Sequence, residues 1–101
     1  MSTRRAPNGE PLLMKALQRG PEWLAKLFLE KGADVNARNK DHRTPLMVAA
    51  RGHNPHLVKT LVEIGADTDA RDDDRKTALT IAKENGQTEI AAFLRSRGAR
   101  E

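Results

Sequence analysis

The sequence contains no cysteine, so neither a disulfide nor a zinc site with thiolate ligands can form. Aromatic residues are scarce, since Trp23, Phe28 and Phe93 are the only ones, and the core must be built from aliphatic side chains. No apolar run follows the arginines of residues 1–10, and no stretch is long enough to span a membrane. We therefore expect no secretory signal and no membrane partner, and we place the protein in the cytoplasm, with the nucleus as the alternative.

Neither sign of charge is in large excess, because 18 lysines and arginines face 14 acidic residues, for a net charge of +4. The signs alternate along the chain, and the arginines concentrate towards its two ends. A nucleic-acid-binding protein more often gathers its basic residues on one face. We interpret this surface as one that serves solubility. With 101 residues the chain forms one domain at most, and a single closed core would be marginal.

A short sequence recurs at a fixed interval. Gly-Ala-Asp occurs at residues 32–34 and 65–67, and Gly-Ala returns at 98–99, so that each interval is 33 residues. A period of roughly 20 to 50 residues is typical of proteins built from stacked repeats. Such an array presents an extended surface rather than one deep cleft. The repeat therefore favours binding over catalysis.

Each unit has the pattern of two amphipathic helices. In the middle unit, Leu46–Ala50 supplies one apolar face and Leu57–Ile64 supplies a second. Thr44 and Pro45 favour a helix start, because a threonine hydroxyl caps a free N–H and proline at the first helical position loses no needed donor. Gly65 favours a helix end. Equivalent positions are apolar in all three units, at residues 13, 46 and 79; 16, 49 and 82; 24, 57 and 90; and 28, 61 and 94.

Polar segments separate the units. Residues 34–43 and 67–76 contain aspartate and asparagine but little apolar content, which predicts projecting hairpin turns. We divide the chain into a basic leader, residues 1–9, which we expect to be flexible, and one repeat domain, residues 10–101. The repeats are predicted at about 10–42, 43–75 and 76–101.

These units resemble the ankyrin repeat. The resemblance rests on Thr44–Ala50 followed by Gly65–Asp67, on Gly32–Ala37, and on Thr77–Ala82 with Asn85–Gly86. It covers about residues 10–100, nearly the whole chain. It implies an all-α ankyrin-repeat solenoid, in which three helix–turn–helix units stack side by side and hairpin turns project along one edge.

The sequence departs from the family pattern at several places. A histidine that usually bonds the hairpin backbone is replaced by methionine or threonine, at residues 14, 47 and 80, which predicts less rigid hairpins. The glycine between the two helices falls one residue early in the middle unit, at Gly52, so that His53 or Asn54 is predicted to adopt a positive φ. The glycine of the hairpin tips is replaced by His42 and Arg75.

The third unit has a polar residue where the others are apolar. Lys83 stands at the position of Leu17 and Ala50, where the family packs towards a neighbouring unit, and a lysine there would be costly to bury. We expect the third unit to be a polar cap with no fourth repeat after it. The alternative is that the chain is a piece of a longer array.

No pattern of catalytic or ligand-binding residues is present. His53 and His56 lack further ligands for zinc, and the aspartates of residues 67–74 do not fit a calcium loop. There is no phosphate-binding glycine loop and no serine in a nucleophile context. We predict that the protein is not an enzyme and needs no cofactor.

The resemblance implies a protein-interaction module that binds another protein, of unknown identity, through the hairpin tips and the exposed face of the first helices. Carried over by position, the predicted binding residues are Arg38, Lys40, Asp41, Arg43, Val48, Arg51, Arg71, Asp73, Asp74, Lys76, Ile81 and Glu84. Val48 and Ile81 are predicted to be an exposed apolar centre within a charged rim. Their alternative role is packing between neighbouring helices.

The sequence is compatible with two other functions. The arginines could bind nucleic acid or another anionic surface, although Asp72–Asp74 argues against it, or the chain could be a stable scaffold without a partner. Trp23 has two alternative roles. It either packs over the Pro21 turn or the leader, or is exposed as a binding anchor. We expect a monomer whose binding to its partner weakens with salt.

Overall fold

The computed structural model describes residues 11–52 and 54–101, and within these ranges the chain is helical and has no strand. The predicted leader, residues 1–9, and His53 lie outside the described residues. The helices come in three pairs, one pair to each repeat unit. Their bounds are α1 Leu12–Arg19, α2 Glu22–Glu30, α3 Pro45–Arg51, α4 Pro55–Ile64, α5 Ala78–Glu84 and α6 Thr88–Ser96. The predicted all-α array of three helix–turn–helix units is confirmed.

The helices form two layers. In one layer α3 packs between α1 and α5, and in the other α4 packs against α6. Each first helix also contacts the second helix of its own unit. The principal extents are 37 × 27 × 21 Å. The buried apolar residues form one cluster across the last two units and a second that joins the first unit to Leu57 of α4, and the partly buried Leu17 and Leu29 pack against both. The outer faces of α1, α3 and α5 are left for other contacts.

Threonine and glycine set the helix ends that the sequence predicts. The Thr44 hydroxyl accepts a hydrogen bond from the Met47 amide at 3.3 Å at the start of α3. The Thr77 hydroxyl accepts from the Thr80 amide at 3.3 Å at the start of α5. Such a cap contributes about 1 kcal/mol. At the end of α4, Gly65 has φ 116°, a left-handed conformation that a residue with a Cβ adopts only at a cost.

The core combines aliphatic side chains with small alanines at the contacts between units. Leu46, Leu61 and Leu94 are completely buried. Ala50 and Ala82 are completely buried as well, and their small size lets neighbouring helices approach closely. Every buried side-chain nitrogen and oxygen of the described residues has a hydrogen-bond partner. The core of the described residues therefore buries no unpaired polar side chain.

The predicted exposure of Ile81 is wrong. Its side chain is only 3% exposed and belongs to the same apolar cluster as Leu46 and Ala82. Because α5 lies against both α3 and α6, a branched apolar side chain here gains contacts instead of facing solvent. Val48, at the same position in the middle unit, is half-buried. Ile81 is thus a core residue, as its alternative role of interhelical packing requires.

Of the two residues predicted to hold a positive φ between α3 and α4, only Asn54 is described, and the prediction for His53 lies outside the described residues. Asn54 has φ −123° rather than a positive φ. Its Oδ1 accepts a hydrogen bond from the Leu57 amide at 3.2 Å and so caps α4. An N-cap residue has a non-helical backbone, typically with a negative φ as in the β region.

Both hairpin tips hold a non-glycine residue in the left-handed region. His42 has φ 60° and Arg75 has φ 62°, at the two positions where the sequence lacks the expected glycine. A left-handed backbone costs a residue with a Cβ about 1 kcal/mol or more. The tips therefore carry strain that the hydrogen bonds around them must offset.

We predict that Arg75→Gly stabilises the protein by about 0.5 kcal/mol, because the relief of strain exceeds the entropy that glycine adds to the unfolded chain. Arg75 suits the test, since its exposed side chain forms no ion pair with the described residues. Arg75→Val should destabilise, because a β-branched residue tolerates positive φ poorly. Urea unfolding followed by circular dichroism measures both, and a valine variant as stable as the wild type would refute strain at the tip.

Candidate functional site

The polar segments between units form matching hairpins. In the first, the His42 amide donates to the Asn39 carbonyl at 2.9 Å, and in the second the Arg75 amide donates to the Asp72 carbonyl at 2.9 Å. These four residues occupy equivalent places in the repeat. The same turn is therefore made twice, and its tip residues project side by side.

The two hairpins are hydrogen-bonded to each other. The Asp73 amide donates to the Asp41 carbonyl at 3.1 Å, and His42 Nδ1 lies 2.6 Å from Asp73 Oδ1. Nearer the helices, the Asp67 amide donates to Asn36 Oδ1 at 2.8 Å. Consecutive hairpins thus form one ladder, which limits their independent movement.

Arg38 and Arg71 hold this ladder together. Arg38 Nη1 donates to the His42 carbonyl of its own hairpin at 3.3 Å and to the Arg71 carbonyl of the next at 2.9 Å. Arg71 repeats the arrangement, donating from Nη1 to the Arg75 carbonyl at 2.9 Å and from Nη2 to the Glu101 carbonyl at 3.2 Å. Both guanidinium groups are consequently engaged within the array.

Asp72 is the buried acidic residue of the hairpin region. Arg43 Nε lies 3.5 Å from its Oδ2, and the amides of Asp74 and Lys76 donate to its Oδ1 at 2.8 and 3.0 Å. Burial alone would raise the pKa of Asp72, but the two amides and the Arg43 guanidinium outweigh it and hold the pKa below its usual value. Arg43 is thus committed to a partner inside the protein.

Lys76 joins the second hairpin to the exposed side of α5. Its Nζ lies 2.8 Å from Glu84 Oε1, and this contact raises the pKa of Lys76. Because Lys76 ends the hairpin and Glu84 ends α5, the hairpin and the exposed side of the first-helix layer adjoin. They can be reached by one partner.

The structure sorts the predicted binding residues by their availability. Four of them are used by the fold itself: Arg38, Arg43, Arg71 and Ile81. Three have a side-chain partner within the chain: Asp73, which contacts His42, and Lys76 and Glu84, which contact each other. Five keep side chains that are exposed or half-buried and form no ion pair with the described residues: Lys40, Asp41, Val48, Arg51 and Asp74. The sequence did not predict that Arg38 bonds to the next hairpin, although the separation of Arg38 and Arg71 by one repeat was a signal for such a contact.

Trp23 is exposed on the layer of second helices, away from the hairpins. It is 64% exposed, and Leu27, one turn later in α2, is 37% exposed. Packing over the Pro21 turn would have buried the indole, so the structure does not support that role, and the predicted packing over the leader lies outside the described residues. The alternative role as a binding anchor stays a prediction.

Glu22 forms a polar junction between the first two units that the sequence did not predict. Asn54 Nδ2 donates to its Oε1 at 2.7 Å, while His56 Nδ1 and Lys26 Nζ lie 2.8 and 3.1 Å from its Oε2. The Asn54 hydrogen bond, followed by those of His56 and Lys26, lowers the pKa of Glu22 to about 2. The carboxylate thus links the starts of α2 and α4.

We predict that Glu22 makes stability depend on pH. Because its pKa falls from 4.5 to about 2 on folding, its contribution is complete above about pH 5 and is lost as the pH falls through that interval. The difference in unfolding free energy between the wild type and Glu22→Gln should therefore shrink towards zero from neutral pH to about pH 2. A difference that stayed constant down to the acidic limit would show that the ionised form of Glu22 adds no stability.

The described part of the chain offers neither a metal site nor a membrane-spanning helix. Its His, Asp and Glu side chains form no group of three that could hold a metal ion. None of its helices has both the length and the apolar character needed to cross a bilayer.

Comparison with known proteins agrees with this architecture. A family model for ankyrin repeats, in 3 copies, matches residues 5–100. A mouse (Mus musculus) protein, fibronectin type 3 and ankyrin repeat domains 1 protein, is similar, with 49% identity over 39 residues. The match covers 39% of this chain but 11% of that relative's length. Because the family model matches nearly the full length of the chain and the helices stack in pairs, the chain belongs to the ankyrin-repeat family.

Proposed function

We propose that the protein is a non-catalytic interaction module, which binds a partner protein through its hairpin tips and the exposed face of α1, α3 and α5. Ankyrin repeats are generally protein-interaction modules and are typically not enzymes. The observation that carries the proposal is the Lys76–Glu84 contact, because it joins the tips and the first-helix layer into one surface. We also propose that it acts as a monomer in the cytoplasm.

We assign this surface to the predicted residues whose side chains remain available. The tips contribute Lys40, Asp41 and Asp74, and α3 contributes Val48 and Arg51. Most of these side chains are charged, so the interaction should weaken as salt is added. The half-buried Val48 supplies the apolar contact that a charged rim surrounds.

Affinity capture from the source cells tests the proposal. The variant Lys40→Ala/Val48→Ser/Asp74→Ala alters both parts of the surface and leaves the buried Arg43 contact and Ile81 in place. A matched control, Glu63→Ala/Ile64→Ser/Arg97→Ala, changes exposed residues in the second helix, or beside it, of the two later units. We expect the first variant to lose a protein that the wild type and the control retain.

Two outcomes would contradict the proposal. Equal capture by both variants would place the contact elsewhere. Capture that depended on nucleic acid, and disappeared on nuclease treatment, would favour the arginine-based alternative. Circular dichroism of each variant checks that the helices are intact.

A further inference from the structure

We propose that an acidic segment of the partner protein binds across α1 and α3, along a strip formed by Lys15, Arg19 and Arg51 (the basic strip). This inference rests on the proposed function and specifies the chemistry of the partner. The three residues are exposed, and together they place three positive charges on the first-helix layer of the first two units.

The helical period and the packing bring the basic strip together. Lys15 and Arg19 are four residues apart in α1, so they lie on one side of that helix. On the opposite side, Leu13, Met14 and Ala16 are buried. Arg51 ends α3, which packs directly against α1, and it is equivalent in the repeat to Gln18 on the exposed side of α1. The strip therefore crosses two neighbouring helices.

The positive charges of the basic strip have no acidic partner among the described residues. No carboxylate of residues 11–52 or 54–101 pairs with its three side chains, whereas Lys26, Arg43, Lys76 and Lys83 all have carboxylate partners within the chain. Arg19 and Arg51 stand in the last turns of their helices, where any cation is favourable. Lysine would serve equally well at a helix end. The preference for a cation there therefore does not explain why three positive charges lie on the same side of the first-helix layer.

The charge of the surface changes along the array. At the position of Arg51, the third unit has Glu84, which is already neutralised by Lys76. The tip of the second hairpin adds Asp73 and Asp74. A long polyphosphate chain following the array would meet these carboxylates, whereas a short acidic peptide would lie on the first two units alone. Charge complementarity thus favours a protein segment over nucleic acid.

Arginine fits this occupant by geometry as well as by charge. A guanidinium binds a carboxylate through two parallel hydrogen bonds, which fixes the direction of approach. The half-buried Val48 lies one turn before Arg51 in α3, where it can contact the stem of an acidic side chain. The strip therefore suits glutamates or aspartates interspersed with apolar residues.

Binding of labelled short-chain poly-L-glutamate tests the inference, with oligothymidylate of similar length as the competing probe. The variant Lys15→Ser/Arg19→Ser/Arg51→Ser removes the strip and lowers the net charge of +4 by three. The control Lys31→Ser/Arg95→Ser/Arg100→Ser removes three exposed charges from other places, so its net charge is the same. We expect the strip variant to bind poly-L-glutamate roughly tenfold more weakly than the wild type, and the control to stay within about twofold.

Equal losses in both variants would overturn the inference, because net charge alone would explain them. Tighter binding of oligothymidylate than of poly-L-glutamate by the wild type would overturn it in favour of nucleic acid. Should the serine variant unfold, Arg19→Lys/Arg51→Lys keeps the charge, and a loss of about threefold is expected from the missing bidentate geometry, while no loss counts against it. The capture experiment uses none of the strip residues, so the acidic partner can be rejected while the proposed function stands.

Discussion

Replacing Ala50 with lysine is expected to destabilise the protein by about 3 kcal/mol or more, enough to unfold a large fraction of so small a domain. Ala50 is completely buried between units, in the helix that packs against both α1 and α5. A lysine there would have to bury its ammonium group without a partner or force the helices apart. Urea unfolding followed by circular dichroism measures the loss.

The control for this prediction is supplied by the repeat itself. Lys83 stands at the equivalent position of the third unit, where it is exposed and paired with Glu101. Lys83→Ala should therefore change stability much less than Ala50→Lys, because it removes only a surface ion pair. If the two substitutions had similar effects, the burial of Ala50 at a unit contact would be wrong.

Truncation of Ile81 is the second substitution with a large expected effect. Ile81→Ala should cost about 2–4 kcal/mol, because it leaves a cavity in the main apolar cluster. Val48→Ala, at the same place in the middle unit, should cost about 1 kcal/mol or less, because its side chain is only half-buried. Thermal or urea unfolding of the two variants gives the comparison.

The same pair separates core from binding residues. We expect Val48→Ala to weaken partner capture while the protein stays folded, and Ile81→Ala to act through stability. Loss of capture by a fully folded Ile81→Ala variant would falsify the assignment of Ile81 to the core and return it to the interaction surface.

Much of the fold followed from the sequence because it depends on local chemistry. A threonine before a proline caps a helix by itself, and Gly65 ends α4 in the left-handed conformation that only its lack of a Cβ allows without strain. The period of the repeat then stacks identical units. These signals lie within a few residues of the structure that they determine.

The site was harder to predict because the burial and the hydrogen bonds of its residues depend on contacts with other units, which a sequence pattern does not show. Lys15, Val48 and Ile81 share one place in the repeat, yet they are exposed, half-buried and buried in turn. The partners of Arg38 and Arg71 are backbone carbonyl oxygens, which carry no residue type that a pattern could reveal. Equivalent positions in the repeat therefore predict the fold better than they predict which side chains are buried and which are free to bind a partner.

The exposed position of Trp23 determines what intrinsic fluorescence can report. It is the only tryptophan in the chain and is already 64% accessible to water in the folded state. Its emission maximum should shift little on denaturation, so an optical unfolding curve needs a helix-sensitive signal instead. A blue shift on mixing with another molecule would mark an encounter on the α2 side, whereas an occupant of the first-helix layer should leave the indole spectrum unchanged.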